Sequence, residues 1–162
     1  MCLNRYPKER RTAMELKECV EFANNNRSCY LATTDGKQPH VRTFLVWFAD
    51  EKGFYFIPLA GKSVCKQLRA NPRVEACFFN NKQGDEARMM RVTGEIEFLE
   101  DIDIRRKAME SRPLLKKYAA GPEDKAFEVF CLHTGEAFFW TFKDILKEAQ
   151  LEQYTSDTNR PP

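Results

Sequence analysis

The chain has 162 residues, 43% of them hydrophobic and 31% charged, which suits one soluble globular domain with a real core and leaves little room for a second. Twenty-six Lys and Arg against 24 Asp and Glu leave a net charge of +2, too small to argue for nucleic acid from bulk charge. No apolar run approaches the roughly 18 residues of a membrane helix, and the first residues lack the apolar core of a signal peptide, so the expectation is a cytoplasmic protein without a membrane partner. The thirteen Phe residues point to an aromatic β core or a pocket with aromatic walls. In a reducing compartment Cys2, Cys19, Cys29, Cys65, Cys77 and Cys131 stay as thiols. None forms a Cys-x-x-Cys pair, and most read as small buried hydrophobes rather than metal ligands.

Composition divides the chain into a loose basic N-terminus over 1–11, a domain over 12–151 and a loose polar tail over 152–162 that ends in Pro-Pro. Thr12 and Glu15 form a capping box that starts a helix. Leu16, Cys19, Val20 and Ala23 recur at helical spacing, and Asn24-Asn25-Asn26 stops it. Strands follow over 28–34 and 39–48, joined at the hairpin signal Asp35-Gly36, and then over 53–58, 73–80 and 88–99. In the last of these Met90, Val92, Ile96 and Phe98 share one face while Arg91, Thr93, Glu95 and Glu97 share the other. That alternation describes a half-buried antiparallel strand. Two short helices are expected over 102–111 and 113–119, then strands over 126–133 and 136–142 joined at Thr134-Gly135, and a last helix near 143–151. So many strands in one small domain favour a barrel, because closure removes exposed sheet edges.

The chemistry gathers between 41 and 73. A helix near residue 65 opens with Gly61-Lys62-Ser63 and ends at Asn71-Pro72. Unpaired amides and the positive end of the helix dipole at such a start favour a phosphate; Lys62 adds charge, Ser63 a hydroxyl, and Lys66 lies one turn on. The run lacks the spacing of a nucleotide P-loop and is a weak motif by itself. Arg42 shares a strand face with Phe44, Val46 and Phe48, where burial of a guanidinium requires either an anion or an acid such as Glu75. His40 and His133 are the only histidines, too few for an evident Ser-His-acid triad.

In order along the chain, Tyr30-Leu31-Ala32-Thr33-Thr34, Pro39-His40-Val41-Arg42, Gly53-Phe54-Tyr55-Phe56, Lys62-Ser63, Gln67-Leu68, Asn71-Pro72-Arg73-Val74 and Val92-Thr93-Gly94-Glu95-Ile96-Glu97 resemble the pyridoxamine 5′-phosphate oxidase-like family over roughly 14–142. The resemblance implies a mainly β fold with flanking helices, an antiparallel split β-barrel of the FMN-binding type. It implies a homodimer with FMN at the interface, the flavin phosphate held by Arg42, Lys62, Ser63 and Lys66. Thr43, Phe44 and the backbone near Ile57 and Pro58 would run along the ribityl chain and ring. Met89, Arg91 and Trp140 would complete the site from the partner subunit. The family's vitamin B6 oxidases carry Arg-x-His near the C-terminus and a lysine five residues after the strand arginine; here stand Phe139-Trp140-Thr141-Phe142 and Trp47. The expected activity is therefore that of a flavin-dependent oxidoreductase acting on another small electron donor or acceptor. Haem, deazaflavin and a non-catalytic redox sensor remain as alternatives from the same fold.

Overall fold

The computed structural model of the protein describes residues 13–142 and 153–155, with side chains described over 16–142. Helix α1 (Ala13–Asn25) opens the chain, its capping pair Thr12 and Glu15 lying outside the described side chains. Cys19, Phe22 and Ala23 of α1 are buried in the main core, and Asn26 ends the helix by donating its side-chain amide to the Phe22 carbonyl at 2.9 Å. Six antiparallel strands then form the barrel: β1 (Ser28–Thr34), β2 (Pro39–Asp50), β3 (Gly53–Phe56), β4 (Arg73–Phe79), β5 (Arg88–Phe98) and β6 (Phe130–Thr141). Their order is β3-β2-β1-β4-β5-β6, and a further β3–β6 pairing closes the sheet on itself. Closure leaves none of these six strands with two open edges, which is the economical solution for a sheet of this size.

Two helices sit against the barrel between strands: α2 (Ser63–Ala70) and α3 (Ile102–Ser111), the latter followed by a 3₁₀ turn at Pro113–Lys117. Asp101 caps α3 by accepting hydrogen bonds from the Asp103 and Ile104 amides. The main core runs through the barrel, with Leu31, Val46, Phe56, Phe78, Met90 and Phe130 among its most buried side chains. A smaller second core lies beneath α3, where Ala108, Met109, Leu115, Phe127 and Val129 take in Trp47, Ile57 and Leu59 from the barrel side.

Three expectations from sequence are revised. Residues 126–142 do not form a hairpin turning at Thr134-Gly135; β6 is continuous from Phe130 to Thr141 and pairs with β5 on both sides of a register shift at His133. Gly135 lies opposite Gly94, and a Cβ at either position would strike the other strand's backbone, so this glycine serves close approach rather than a turn. The Asp35-Gly36 signal does mark the β1–β2 hairpin, but the loop spans 35–38, with the Asp35 carboxylate accepting from the Lys37 and Gln38 amides. In β2 a register shift between Val46 and Phe48 turns Ala49 into the core and sets Phe48 on the opposite face, stacked on Tyr55 at 4.3 Å. Phe48 therefore does not share a face with Arg42. A short strand β7 (Gln153–Thr155) pairs with β6 inside what composition marks as a loose tail. The expected last helix lies outside the described residues.

Candidate functional site

Arg42 occupies the inward face of β2, on which Phe44 and Val46 pack into the core. Its guanidinium finds neutral partners: it donates to Thr33 Oγ1 at 2.6 Å and to Gln67 Oε1 at 2.8 Å, and Thr33 in turn donates to Gln67 Oε1 at 2.7 Å. Thr33 on β1 and Gln67 on α2 are both buried, so the triad is a small polar knot between two strands and a helix. Burial lowers the Arg42 pKa from its ordinary value, the mark of a cation short of compensating negative charge. The sequence offered Glu75 as its acid. Glu75 instead forms a two-pronged pair with Arg91, at 2.6 and 3.2 Å, and among the described residues no carboxylate pairs with Arg42.

The knot ties Arg42 to the helix that begins with Lys62-Ser63. No side chain caps α2 at Lys62, and its first turn carries no acidic residue. Lys62, Ser63 and Lys66 are all exposed there, within five residues of Gln67. Val64, Cys65 and Leu68 are buried and fix the helix to the barrel. A helix start without a side-chain cap, two lysines, a hydroxyl and a guanidinium with neutral partners are a donor set suited to a phosphate.

The remaining expected site residues divide between two faces. Phe44 is half-buried and lies edge-on to Phe56 at 5.7 Å, so it belongs at least partly to the core. Ile57 packs on the second core, and the carbonyl of buried Pro58 accepts the Glu128 amide at 2.9 Å, which occupies it within the chain. Thr43 is exposed on the outward face of β2, next to Tyr30 of β1 in the register. Met89, Arg91 and Trp140 lie on the outward face of β5 and β6, with Met89 directly opposite Trp140 and Arg91 opposite both Cys77 and Phe138. Phe138, Trp140 and Phe142 are not core: Ala137 and Phe139 point inward and these three do not. Within one chain, then, Arg42 and Gln67 of α2 come together, while Met89, Arg91 and Trp140 stand on the other side of the sheet.

That outward face carries exposed Tyr30, Val41 and Leu45 at 56%, 67% and 42%, an apolar strip on a closed sheet. Beside it the bulge of β2 presents its carbonyls to two arginines: Arg27 donates to Val46 and Trp47, and Arg112 reaches Leu45 at 3.5 Å. Thr33 and Gln67 stand in segments that carry the family resemblance without being singled out as site residues, and Arg27 and Arg112 lie in no quoted motif. Only the bulge and the packing of α2 bring them to these places. His40 pairs with Asp35 at 3.1 Å, and the His133 ring lies 2.6 Å from the Thr134 hydroxyl in the middle of β6 rather than at a hairpin corner. Among the described residues no group of three or more His, Cys, Asp or Glu could hold a metal ion, and no helix is long and apolar enough to cross a membrane.

The family model described as Pyridoxamine 5′-phosphate oxidase matches residues 16–141. The chain belongs to this family. Among solved structures, this pyridoxamine 5′-phosphate oxidase family member is similar to a NimC/NimA family protein from Clostridium acetobutylicum at 30% identity, covering 87% of this chain and 93% of that one with a TM-score of 0.70. It shares its fold with general stress protein 26 of Bacillus anthracis, at 17% identity, 88% and 99% coverage and a TM-score of 0.65. It also shares it with a heme binding protein of Mycobacterium smegmatis, at 14% identity, 91% and 60% coverage and a TM-score of 0.66. No curated protein matches the chain.

Proposed function

We propose that the protein is an FMN-binding oxidoreductase that works as a homodimer in the cytoplasm and exchanges electrons with a small molecule other than a B6 vitamer. The observation that carries this reading is Arg42. It is a half-buried strand guanidinium whose hydrogen-bond partners are neutral, fixed by Thr33 and Gln67 beside an uncapped helix start bearing Lys62, Ser63 and Lys66. Such a site gains most from a dianion such as a flavin phosphate, since the guanidinium is already oriented and its burial already spent.

The chain's own residues bind and orient. Arg42 and Lys62 would neutralise the phosphate and the Ser63 hydroxyl would donate to it, while Gln67 holds the guanidinium in place. Thr43, Phe44 and the Ile57-Pro58 backbone would line the path of the ring. When bound, the flavin supplies the hydride- and electron-accepting group. A partner subunit seated on the Tyr30, Val41 and Leu45 strip would bring Met89, Arg91 and Trp140 of its own outward face toward that ring. The division of the proposed site residues between two faces of one sheet supports the dimer. Cys29, Cys65, Cys77 and Cys131 are free thiols, in keeping with a reducing compartment.

Purified protein titrated with FMN tests this directly. Flavin bands near ~375 and ~450 nm, saturable binding at micromolar affinity or better and a dimeric mass in light scattering are the expected results. A band near ~400 nm from an iron-bound macrocycle, or no FMN binding, would sink it. Turnover with a reduced nicotinamide then separates an enzyme from a sensor.

A further inference from the structure

We infer that Arg105, far from the flavin site in sequence, is a positioning residue for the phosphate-binding turn at Lys62; the inference rests on the reading of that turn given above. Arg105 is only 6% exposed, yet among the described residues it has no carboxylate pair. Its Nε donates to the Pro122 carbonyl at 2.6 Å, and one terminal nitrogen donates to the carbonyls of Asp124 at 2.6 Å and Phe127 at 3.1 Å. The guanidinium also lies over the Phe127 ring, 4.4 Å from its centroid. Asp124 closes the same loop from within, its carboxylate accepting the Ala120 and Ala126 amides, and these hydrogen bonds hold its pKa below the usual range.

The far side of that loop is the bed of the turn. The Ala60 amide donates to the Ala126 carbonyl at 3.0 Å, Leu59 bridges to Phe127, and the Glu128 amide donates to the Pro58 carbonyl at 2.9 Å. Glu128 then pairs with Arg69 of α2 at 2.5 Å, and Arg69 lies over Phe98 at 4.3 Å. Pro58, Leu59 and Ala60 immediately precede Gly61-Lys62-Ser63, so both ends of the anion-binding segment are built on residues 120–128. The acceptors of its guanidinium all belong to one irregular loop. Arg105 spans three carbonyls of that loop, which fixes the loop's shape. Lysine cannot reproduce this, because a single ammonium cannot reach all three carbonyls with the planar geometry of a guanidinium.

The test compares wild type, Arg105→Lys and, as a milder change to the same loop, Asp124→Ala. It uses two ligands that differ only in the phosphate, FMN and riboflavin, together with amide exchange in the ligand-free protein. The expected result is an FMN affinity about tenfold weaker in Arg105→Lys with riboflavin affinity unchanged, and faster exchange confined to 58–63 and 120–128. Asp124→Ala should shift both readouts in the same direction and by less. A lower melting temperature with an unchanged FMN-to-riboflavin ratio and unchanged exchange at 58–63 would make Arg105 merely structural and overturn the inference alone. Wild-type protein that binds riboflavin as tightly as FMN would overturn the phosphate reading itself, and the inference with it.

Discussion

Arg42 and Arg91 are both strand arginines of one barrel, both partly buried, and they have opposite relations to charge. Arg91 lies on the outward face and spends its guanidinium on Glu75 in a two-pronged pair, with the two side chains 39% and 34% exposed. Arg42 lies on the inward face, and its close partners are the oxygens of Thr33 and Gln67. The first is a charge-paired unit; the second is an oriented cation whose close partners are neutral. An arginine in a strand says nothing about binding until its acid, or the lack of one, is known.

The comparison can be broken at its support, at either arginine, or at their neighbours. The largest effect should come from Gly135→Ala, because the outward face needs β5 and β6 in close register and the new Cβ would collide with the Thr93 carbonyl. A loss of ~3 kcal/mol or more in denaturant unfolding is expected. Arg42→Ala should weaken FMN binding roughly 100-fold in a fluorescence titration while Arg91→Ala costs less than about threefold, since only the first removes an uncompensated charge. Equal losses would erase the distinction drawn here. Gln67→Leu, which leaves the guanidinium present but unfixed, should cost about tenfold. Lys62→Ala is expected to cost only a few-fold and to flatten the salt dependence of binding, because its charge is solvent-exposed.

A smaller and slower effect concerns pH. Burial pushes the Cys29 and Cys131 thiols up from 9.0 to about 12 in the folded chain. Their contribution to stability is therefore intact below the unfolded value of 9.0 and is lost as pH rises from there toward about 12, as the unfolded thiols ionise first. Urea midpoints that decline between pH 9 and 11, with thiol alkylation slow in the native state at pH 8, would agree; a midpoint flat across that range would not.

Much of this was legible in the residues themselves. The strands expected over 28–34, 73–80 and 88–99 match β1, β4 and β5 almost to their ends, the helix expected over 102–111 matches α3, and Gly61-Lys62-Ser63 placed the start of α2. These are local matters, decided by side-chain periodicity and backbone capping within a few residues. What misled was equally local: Thr134-Gly135 has the composition of a turn but lies inside a continuous strand, because Gly94 faces it from another strand. Likewise Phe48 follows the alternation of β2 by count and leaves it in fact, because one bulge shifts the period.

By itself, then, the sequence determined a mainly β barrel with flanking helices, one candidate anion-binding turn and one candidate cation at Arg42. Only the tertiary structure decided which arginine keeps its charge uncompensated. Whether Glu75 meets Arg42 or Arg91 depends on which strands are neighbours and which faces they turn, and that is settled by the strand order, which puts β4 beside β5 and not beside β2. Pairing of β1 with β2 brings Thr33 to the guanidinium and the packing of α2 brings Gln67, across 9 and 25 residues of chain.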